Sequence, residues 1–241
     1  MSRKSKLYVA VDADVIIMLV EVKEKMKNIP NYQPSKDRKK SIQNNADALM
    51  KILELMNKDE LRLLVINTTF NEVKDVKQTM DFIKDNCYFP RLNILNISSH
   101  IEKADELAMK YCTQSYEYKG QKYYPPMELE YNRHLQRKVP SNDAYAMAEA
   151  SIEKCIFITA NSRHFVFREN YQKETNLRAI GIGMINSENG YETIDEKGRI
   201  TSSRPMSLET FGFLIKNGVD NFFAPDVQED KFIKADQITV M

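Results

Sequence analysis

Four oxygen-bearing side chains recur beside apolar runs in this sequence. In LYVAVDADVIIMLVE, Leu7 to Glu21, an apolar and β-branched run halts at Asp12 and Asp14 and then resumes. Glu72 follows the apolar run Leu61 to Ile66 and the polar stretch Asn67, Thr68 and Thr69. Asp143 lies just past Ser141 and Asn142, ahead of the small residues Ala144, Ala148 and Ala150. Asn161 stands two residues beyond Thr159, the last residue of the apolar run CIFIT. Carboxylates brought together repel one another, and holding them ionised at close range is costly unless a cation joins them. Oxygen-only ligands favour hard divalent ions, Mg²⁺ or Mn²⁺, over zinc. Such an ion can bind a scissile phosphate, stabilise the charge of the transition state and lower the pKa of a bound water. Each position also has a plain structural reading. Asp12 or Asp14 suits the N-cap of a following helix, and the helix dipole favours Glu72 in a first turn.

For these residues to meet, the elements around them must form one sheet. Leu7 to Val11 reads as a strand buried on both faces, which is the habit of parallel sheets. Asp12 then sits at the strand's carboxyl end, the edge where open α/β sheets bind ligands. A helix is expected from Val15 to about Lys27, a polar loop over 28–40 carrying Pro30 and Pro34, and an amphipathic helix over Ser41 to Asn57. In that second helix Ile42, Ala46, Leu49, Ile52, Leu53 and Met56 recur at helical spacing. Further strands are expected at Leu61 to Ile66, Leu92 to Ile97, Cys155 to Thr159 and Leu177 to Ile182. Glu72 is expected in the first turn of a helix reaching about Asn86, with Asn67, Thr68 and Thr69 offering cap chemistry. Ser98 or Ser99 is expected to cap a helix through Cys112, and Ser141 or Asn142 a helix with Asp143 in its first turn. A parallel sheet would bring Asp12, Glu72, Asp143 and Asn161 to one rim.

Composition narrows the partners only locally. The 241 residues hold 35 Lys and Arg against 34 Asp and Glu, so net charge names no partner. One cluster, Lys36, Arg38, Lys39 and Lys40, could meet phosphates or simply be a solvated face. A second stretch, Thr113 to Pro140, interleaves Tyr116, Tyr118, Tyr123, Tyr124 and Tyr131 with Lys119, Lys122, Arg133, His134, Arg137 and Lys138. Aromatics among cations stack bases and hold a phosphate backbone, although a surface hairpin or an oligomer contact has the same composition. Cys87, Cys112 and Cys155 are scattered and odd in number, as for thiols in a reducing compartment. With three His and no His near a Cys at ligand spacing, a structural zinc site is not expected. No run is long and apolar enough to span a bilayer and MSRKSK leads into a strand, so a cytoplasmic protein is expected.

The ordered blocks resemble the PIN-domain nucleases, which include the ribonuclease toxins of bacterial toxin-antitoxin pairs. VAVDADVIIML resembles the family's opening strand and acidic pair through Asp12 and Asp14. LLVINTTFNEV supplies Glu72, NDA with its spaced alanines supplies Asp143, and FITANSRHF supplies Thr159, Asn161 and Phe165. The blocks run in order across Leu7 to Phe165, and Arg204 to Lys216 resembles a closing element. Asn161 stands where many relatives carry a fourth Asp. The resemblance implies an α/β fold, a three-layer PIN-like domain whose central, mostly parallel sheet is flanked by helices. The domain is expected over 1–217, with insertions near 28–40, 113–140 and 186–203 and a C-terminal tail over 218–241.

The implied activity is metal-dependent hydrolysis of RNA phosphodiester bonds with Mg²⁺ or Mn²⁺. Asp12, Glu72, Asp143 and Asn161 form the implied catalytic set. Asp12 and Asp143 are the principal ligands, Glu72 is a ligand or the base that orients water, and Asn161 is a weak ligand or hydrogen-bonding partner. Asp14 and Thr159 are secondary, with Asp14 read as a cap beneath the site. Lys36, Arg38, Lys39, Lys122, Arg133, Arg137 and Lys138 are the candidate RNA contacts. Candidate partners are RNA, an antitoxin protein and a second copy of the chain. Three alternatives stand beside this reading: a PIN-fold binding module with weak or no turnover, a DNA-acting nuclease of the same fold, and a haloacid-dehalogenase-like phosphatase. The last rests on DAD and SNDAYAMA, and Ile16 and Ser141 depart from its pattern.

Overall fold

Leu7–Val11 forms the first strand, β1, and all five of its residues are buried, as a strand covered on both faces requires. The computed structural model describes residues 6–26, 36–91, 97–113, 116–118, 121–124, 127–153, 155–160, 168–169, 173–174, 205–216 and 231–238. After β1 come α1 (Ala13–Met26), α2 (Lys36–Asn57), β2 (Leu61–Leu64), α3 (Asn67–Val73), α4 (Lys77–Asn86) and β3 (Cys87–Pro90). Helix α5 (Ile97–Thr113) leads to two hairpin pairs, β4 (Tyr116–Tyr118) with β5 (Gln121–Tyr124) and β6 (Leu129–Asn132) with β7 (Arg137–Pro140). Then follow α6 (Asn142–Ile152), β8 (Ile156–Thr159), the short β9 (Arg168–Glu169) and β10 (Lys173–Glu174), β11 (Pro205–Ser207), α7 (Leu208–Ile215) and β12 (Phe232–Lys234).

The fold is α/β, on a mostly parallel sheet. Its strand order is β11-β8-β1-β2-β3-β12. Every neighbouring pair is parallel except the last, in which β12 runs antiparallel to β3. Because side chains alternate across a strand, β1 feeds two cores. Leu7, Val9 and Val11 pack with α1, α2, α4 and α7, through residues such as Leu19, Leu49, Ile83 and Phe211. Tyr8 and Ala10 pack on the other face with α5 and α6, through Leu107, Tyr111, Met147 and Ala148. Three layers result, with the sheet in the middle. The small residues of α6 let it lie close to the sheet and to α5, where the Tyr111 hydroxyl meets Ser151 Oγ at 3.0 Å. A similarly close approach lets α7 cross α2, since a Cβ on Gly212 would lie 2.2 Å from the Ala48 Cβ.

The chain lays β1, β2 and β3 side by side and then returns to the opposite flank of β1 for β8 and β11. The strand order therefore reverses between β1 and β8. Ligands of open α/β sheets bind at the carboxyl ends beside such a reversal, and Asp12 and Thr159 occupy those two ends.

Several boundaries differ from the sequence reading. A strand the sequence did not announce is Cys87–Pro90, since α4 passes directly into an extended Cys87; of the expected strand Leu92 to Ile97, residues 92–96 lie outside the described residues, and Ile97 opens α5, which contains Ser98 and Ser99. The helix expected to hold Glu72 in its first turn and reach about Asn86 is two helices, parted where Val76 turns extended. Lys36 to Lys40 belong to α2 and not to a loop. Residues 232–234, within the expected tail, add the edge strand β12. The expected strand Leu177 to Ile182 and the insertion 186–203 lie outside the described residues. No helix among the described residues is long and apolar enough to cross a membrane.

Candidate active site

Asp12 closes β1 and opens α1. Its Oδ1 accepts from the Val15 N–H at 2.8 Å, so the helix cap is Asp12 itself and not Asp14, which sits two positions further on in the first turn. Its Oδ2 accepts from the Ala160 N–H at 3.0 Å and from the hydroxyl of the buried Thr159. These bonds stitch the ends of β1 and β8 together across the reversal. Burial is the strongest influence on the Asp12 carboxyl and pushes it up to about 7 from 3.8, against the lowering effect of Thr159, Val15 and Ala160; the charge of Asp14 raises it further. Asp12 thus combines the capping role and the site position that the sequence left as alternatives.

Glu72 is the penultimate residue of α3 rather than a first-turn residue. Its placement depends on two contacts that anchor the helix. The Thr69 hydroxyl donates to Val11 O at 2.9 Å, pinning α3 over the end of β1. At the start of α3 no side chain of its own provides a cap, and Glu149 reaches across from α6 instead. Its carboxylate accepts from the Thr68 N–H at 3.2 Å and the Thr68 hydroxyl at 3.0 Å. Burial raises the Glu149 carboxyl, and the donors of Thr68 and Asn67 lower it. Glu149 was invisible as a functional candidate because its partners lie 81 positions away. Its one signal was a carboxylate on the small-residue face of α6, where an unpaired charge would be costly.

Asp143 lies in the first turn of α6, which Ser141 caps by accepting from the Ala144 N–H at 3.4 Å. Asn142 is therefore free of capping duty, and its Nδ2 donates to Glu72 Oε1 at 3.0 Å. This bond joins α3 to α6 at the rim. Partial burial raises the Glu72 carboxyl, Asn142 lowers it, and the charges of Asp143 and Asp14 raise it again. Asp12, Asp14, Glu72 and Asp143 therefore share one electrostatic neighbourhood, linked Asp12 to Asp14, Asp14 to Glu72 and Glu72 to Asp143.

The donor set fits a hard divalent cation in chemistry. All four side chains offer oxygen, and the two with raised pKa values are pushed up in part by like charge, which a cation would relieve. An ionised carboxylate has about four acceptor positions, of which Asp12 uses three. Among the described residues, no three Asp, Glu, His or Cys side chains are grouped as ligands of a single ion; the carboxylates associate in pairs. Asn161 lies outside the described residues.

The candidate RNA contacts fall in three places. Lys36, Arg38 and Lys39 are in the first turns of α2, and Lys122 is in β5. Arg133, Arg137 and Lys138 are exposed on the β6–β7 hairpin, which runs straight into α6 and Asp143. A groove of about 630 Å³ lined by Lys23, Met50, Lys51, Glu54, Asn57 and Asn86 lies between α1, α2 and α4 and includes none of the rim carboxylates. Comparisons with protein-family models, with curated proteins and with solved structures returned no match. Fold and site together define an α/β protein with an acidic rim at its strand reversal.

Proposed function

We propose that this chain is a PIN-type, metal-dependent ribonuclease. The observation that carries the reading is the meeting of Glu72 with Asn142 at 3.0 Å, in the field of Asp143 and Asp14. These residues come from α1, α3 and α6 and are separated by up to 129 positions, yet they share the rim where Asp12 ends β1. A site for hard-ion chemistry accounts for so much like charge in one place.

In this reading Asp12 and Asp143 would hold Mg²⁺ or Mn²⁺, and Glu72, which is not grouped with both of them around one ion, would orient the attacking water. When bound, the ion supplies charge stabilisation at a scissile phosphate and a more acidic water. Thr159 and the Val15 and Ala160 N–H groups fix the Asp12 carboxylate in one orientation. Glu149 and Thr69 hold α3 so that Glu72 faces α6. Asn142 engages Glu72 Oε1 and keeps it on the rim, leaving Oε2 for water or ion.

The test is cleavage of labelled single-stranded RNA in Mn²⁺ by the wild type and by Asp143→Asn. The substitution is near-isosteric and removes one ligand charge. Cleavage is expected to fall at least about a hundredfold, the loss typical when a group acting on the transition state is removed, with an unchanged circular dichroism spectrum. Equal rates in the two proteins would overturn the assignment. A second reading, a binding module of the same fold without turnover, draws on the engagement of three of the roughly four acceptor positions of Asp12 by protein donors. It predicts RNA binding with no cleavage in any divalent ion.

A further inference from the structure

Beside the rim stands the hairpin formed by β6 and β7. Its ladder is complete, with Leu129 opposite Pro140, Glu130 opposite Val139, Tyr131 opposite Lys138 and Asn132 opposite Arg137. Its tip is held in shape by Asn132, whose Oδ1 accepts from the N–H groups of His134 and Leu135, both at 3.0 Å, an Asx-type closure. Gln136 completes the turn at φ 50, a conformation that non-glycine residues keep only when surroundings impose it. On this rigid tip Tyr131 is 63% exposed. Arg133, Arg137 and Lys138 are exposed around it, and no carboxylate occurs from Tyr131 to Lys138. Glu128 precedes β6, and Glu130, opposite Val139, lies one pair nearer the base than Tyr131 and on the other face.

We infer that the hairpin is an arm for single-stranded nucleic acid, on which Tyr131 stacks an unpaired base while Lys138, Arg137 and Arg133 hold the adjoining phosphates. Tyr131 and Lys138 are directly opposite and so share one face of the ribbon, which puts a π-face next to a cation. Arg137 is on the other face, with Glu130 and near Tyr145 of α6, and Arg133 lies in the turn, so the Tyr131 face is the one a strand meets with Lys138 beside it. Aromatic platforms flanked by cations bind single strands because every base offers a π-face. A duplex keeps its bases stacked inside and leaves such a platform nothing to bind. The arm is joined directly to the rim helix, Lys138 preceding Asp143 by five positions. This inference rests on the ribonuclease reading for its purpose and not for its binding chemistry.

The experiment is fluorescence anisotropy in EDTA with the full chain and a labelled RNA of about 12 nucleotides, within the span that single-strand grooves occupy. The RNA is presented single-stranded and as a duplex. Tyr131→Ala is expected to weaken single-strand binding about tenfold, the effect of losing one stacked base, and Tyr131→Phe to restore it. Lys138→Ala and Arg137→Ala are each expected to lower the salt dependence by roughly 0.7, one phosphate contact on a single strand. Unchanged single-strand affinity in Tyr131→Ala, or equal preference of the wild type for the duplex, would overturn the inference. So would a change in sedimentation from dimer to monomer in Tyr131→Ala without loss of RNA binding, which would make the tip a contact between copies of the chain. Cleavage in Mn²⁺ is scored separately. Tyr131-dependent binding without cleavage sinks the nuclease reading alone, and cleavage with no effect of Tyr131 sinks the arm alone.

Discussion

Replacing Asp12 by asparagine changes how stability depends on pH, and the size of the change follows from its surroundings. Burial moves the Asp12 carboxyl from 3.8 up to about 7. Between those values the folded chain keeps a proton that the unfolded chain releases, so stability declines as pH rises through that window and levels off above it. At 1.36 kcal/mol per pH unit the decline is roughly 4 kcal/mol, reduced to roughly 2–4 kcal/mol by water at the rim. Asparagine carries no charge and has no such decline. It resembles the protonated acid in shape, so near pH 4 the two proteins should differ only by the hydrogen bond that the amide cannot make. The amide presents NH₂ where Oδ2 accepts from Ala160, at a cost of about 1 kcal/mol that is present at every pH. Urea unfolding at pH 4 and pH 7.5 should therefore show the variant gaining roughly 2–4 kcal/mol on the wild type between the two conditions. Other acids with raised pKa values, Glu72, Glu149 and Glu153, contribute to both curves and cancel in the difference. At pH 7.5, Mn²⁺ at about a hundred times its Kd should stabilise the wild type by about 2.7 kcal/mol and leave the variant unmoved. Parallel pH curves for the two proteins, or equal response to Mn²⁺, would refute the reasoning.

Two further outcomes test how the rim is positioned. Glu149→Ala strips the acceptor from the N–H and hydroxyl of Thr68 and should lower unfolding free energy by about 2 kcal/mol; Glu149→Gln, which keeps one acceptor, should recover part of it, as read from urea midpoints. Gly212→Ala drives a methyl onto Ala48 and should cost about 1–3 kcal/mol by overpacking. Adding Ala48→Gly should return part of that loss, since the Ala48 Cα still lies 2.9 Å from the added methyl, and a double-mutant cycle measures the coupling.

What the sequence made legible is what local pattern governs. The five-residue apolar run of β1, the helical spacing of Ile42, Leu49, Ile52 and Leu53, and the small residues of α6 each announce their element because burial repeats at that element's period. The places of Asp12 and Asp143 follow from a strand end and a helix start, whereas Glu72, expected in a first turn, falls near the end of α3. What escaped was decided by distant partners. The break between α3 and α4 falls at Lys74, Asp75 and Val76, without proline or glycine to mark it. Strand β3 owes its place to aromatic contacts, Tyr88 lying 4.8 Å beneath the Arg62 guanidinium and Phe89 at 5.5 Å from Phe70. Neither leaves a trace in local spacing. The Glu149 clamp and the Asn142–Glu72 bond join α6 to α3, and no window of sequence contains both ends.

The borders of the sheet carry a consequence for how the chain is made. Its four inner strands are complete once residue 159 has been synthesised. Both outermost strands come later, β11 from residues 205–207 and β12 from 232–234. Until those stretches emerge from the ribosome, the nascent sheet presents the unpaired backbone of β8 and β3 to any passing strand, the template from which aggregates grow. A chain stalled before residue 205 is thus the form in greatest need of a chaperone, and the finished one, ending in two three-residue strands, the least.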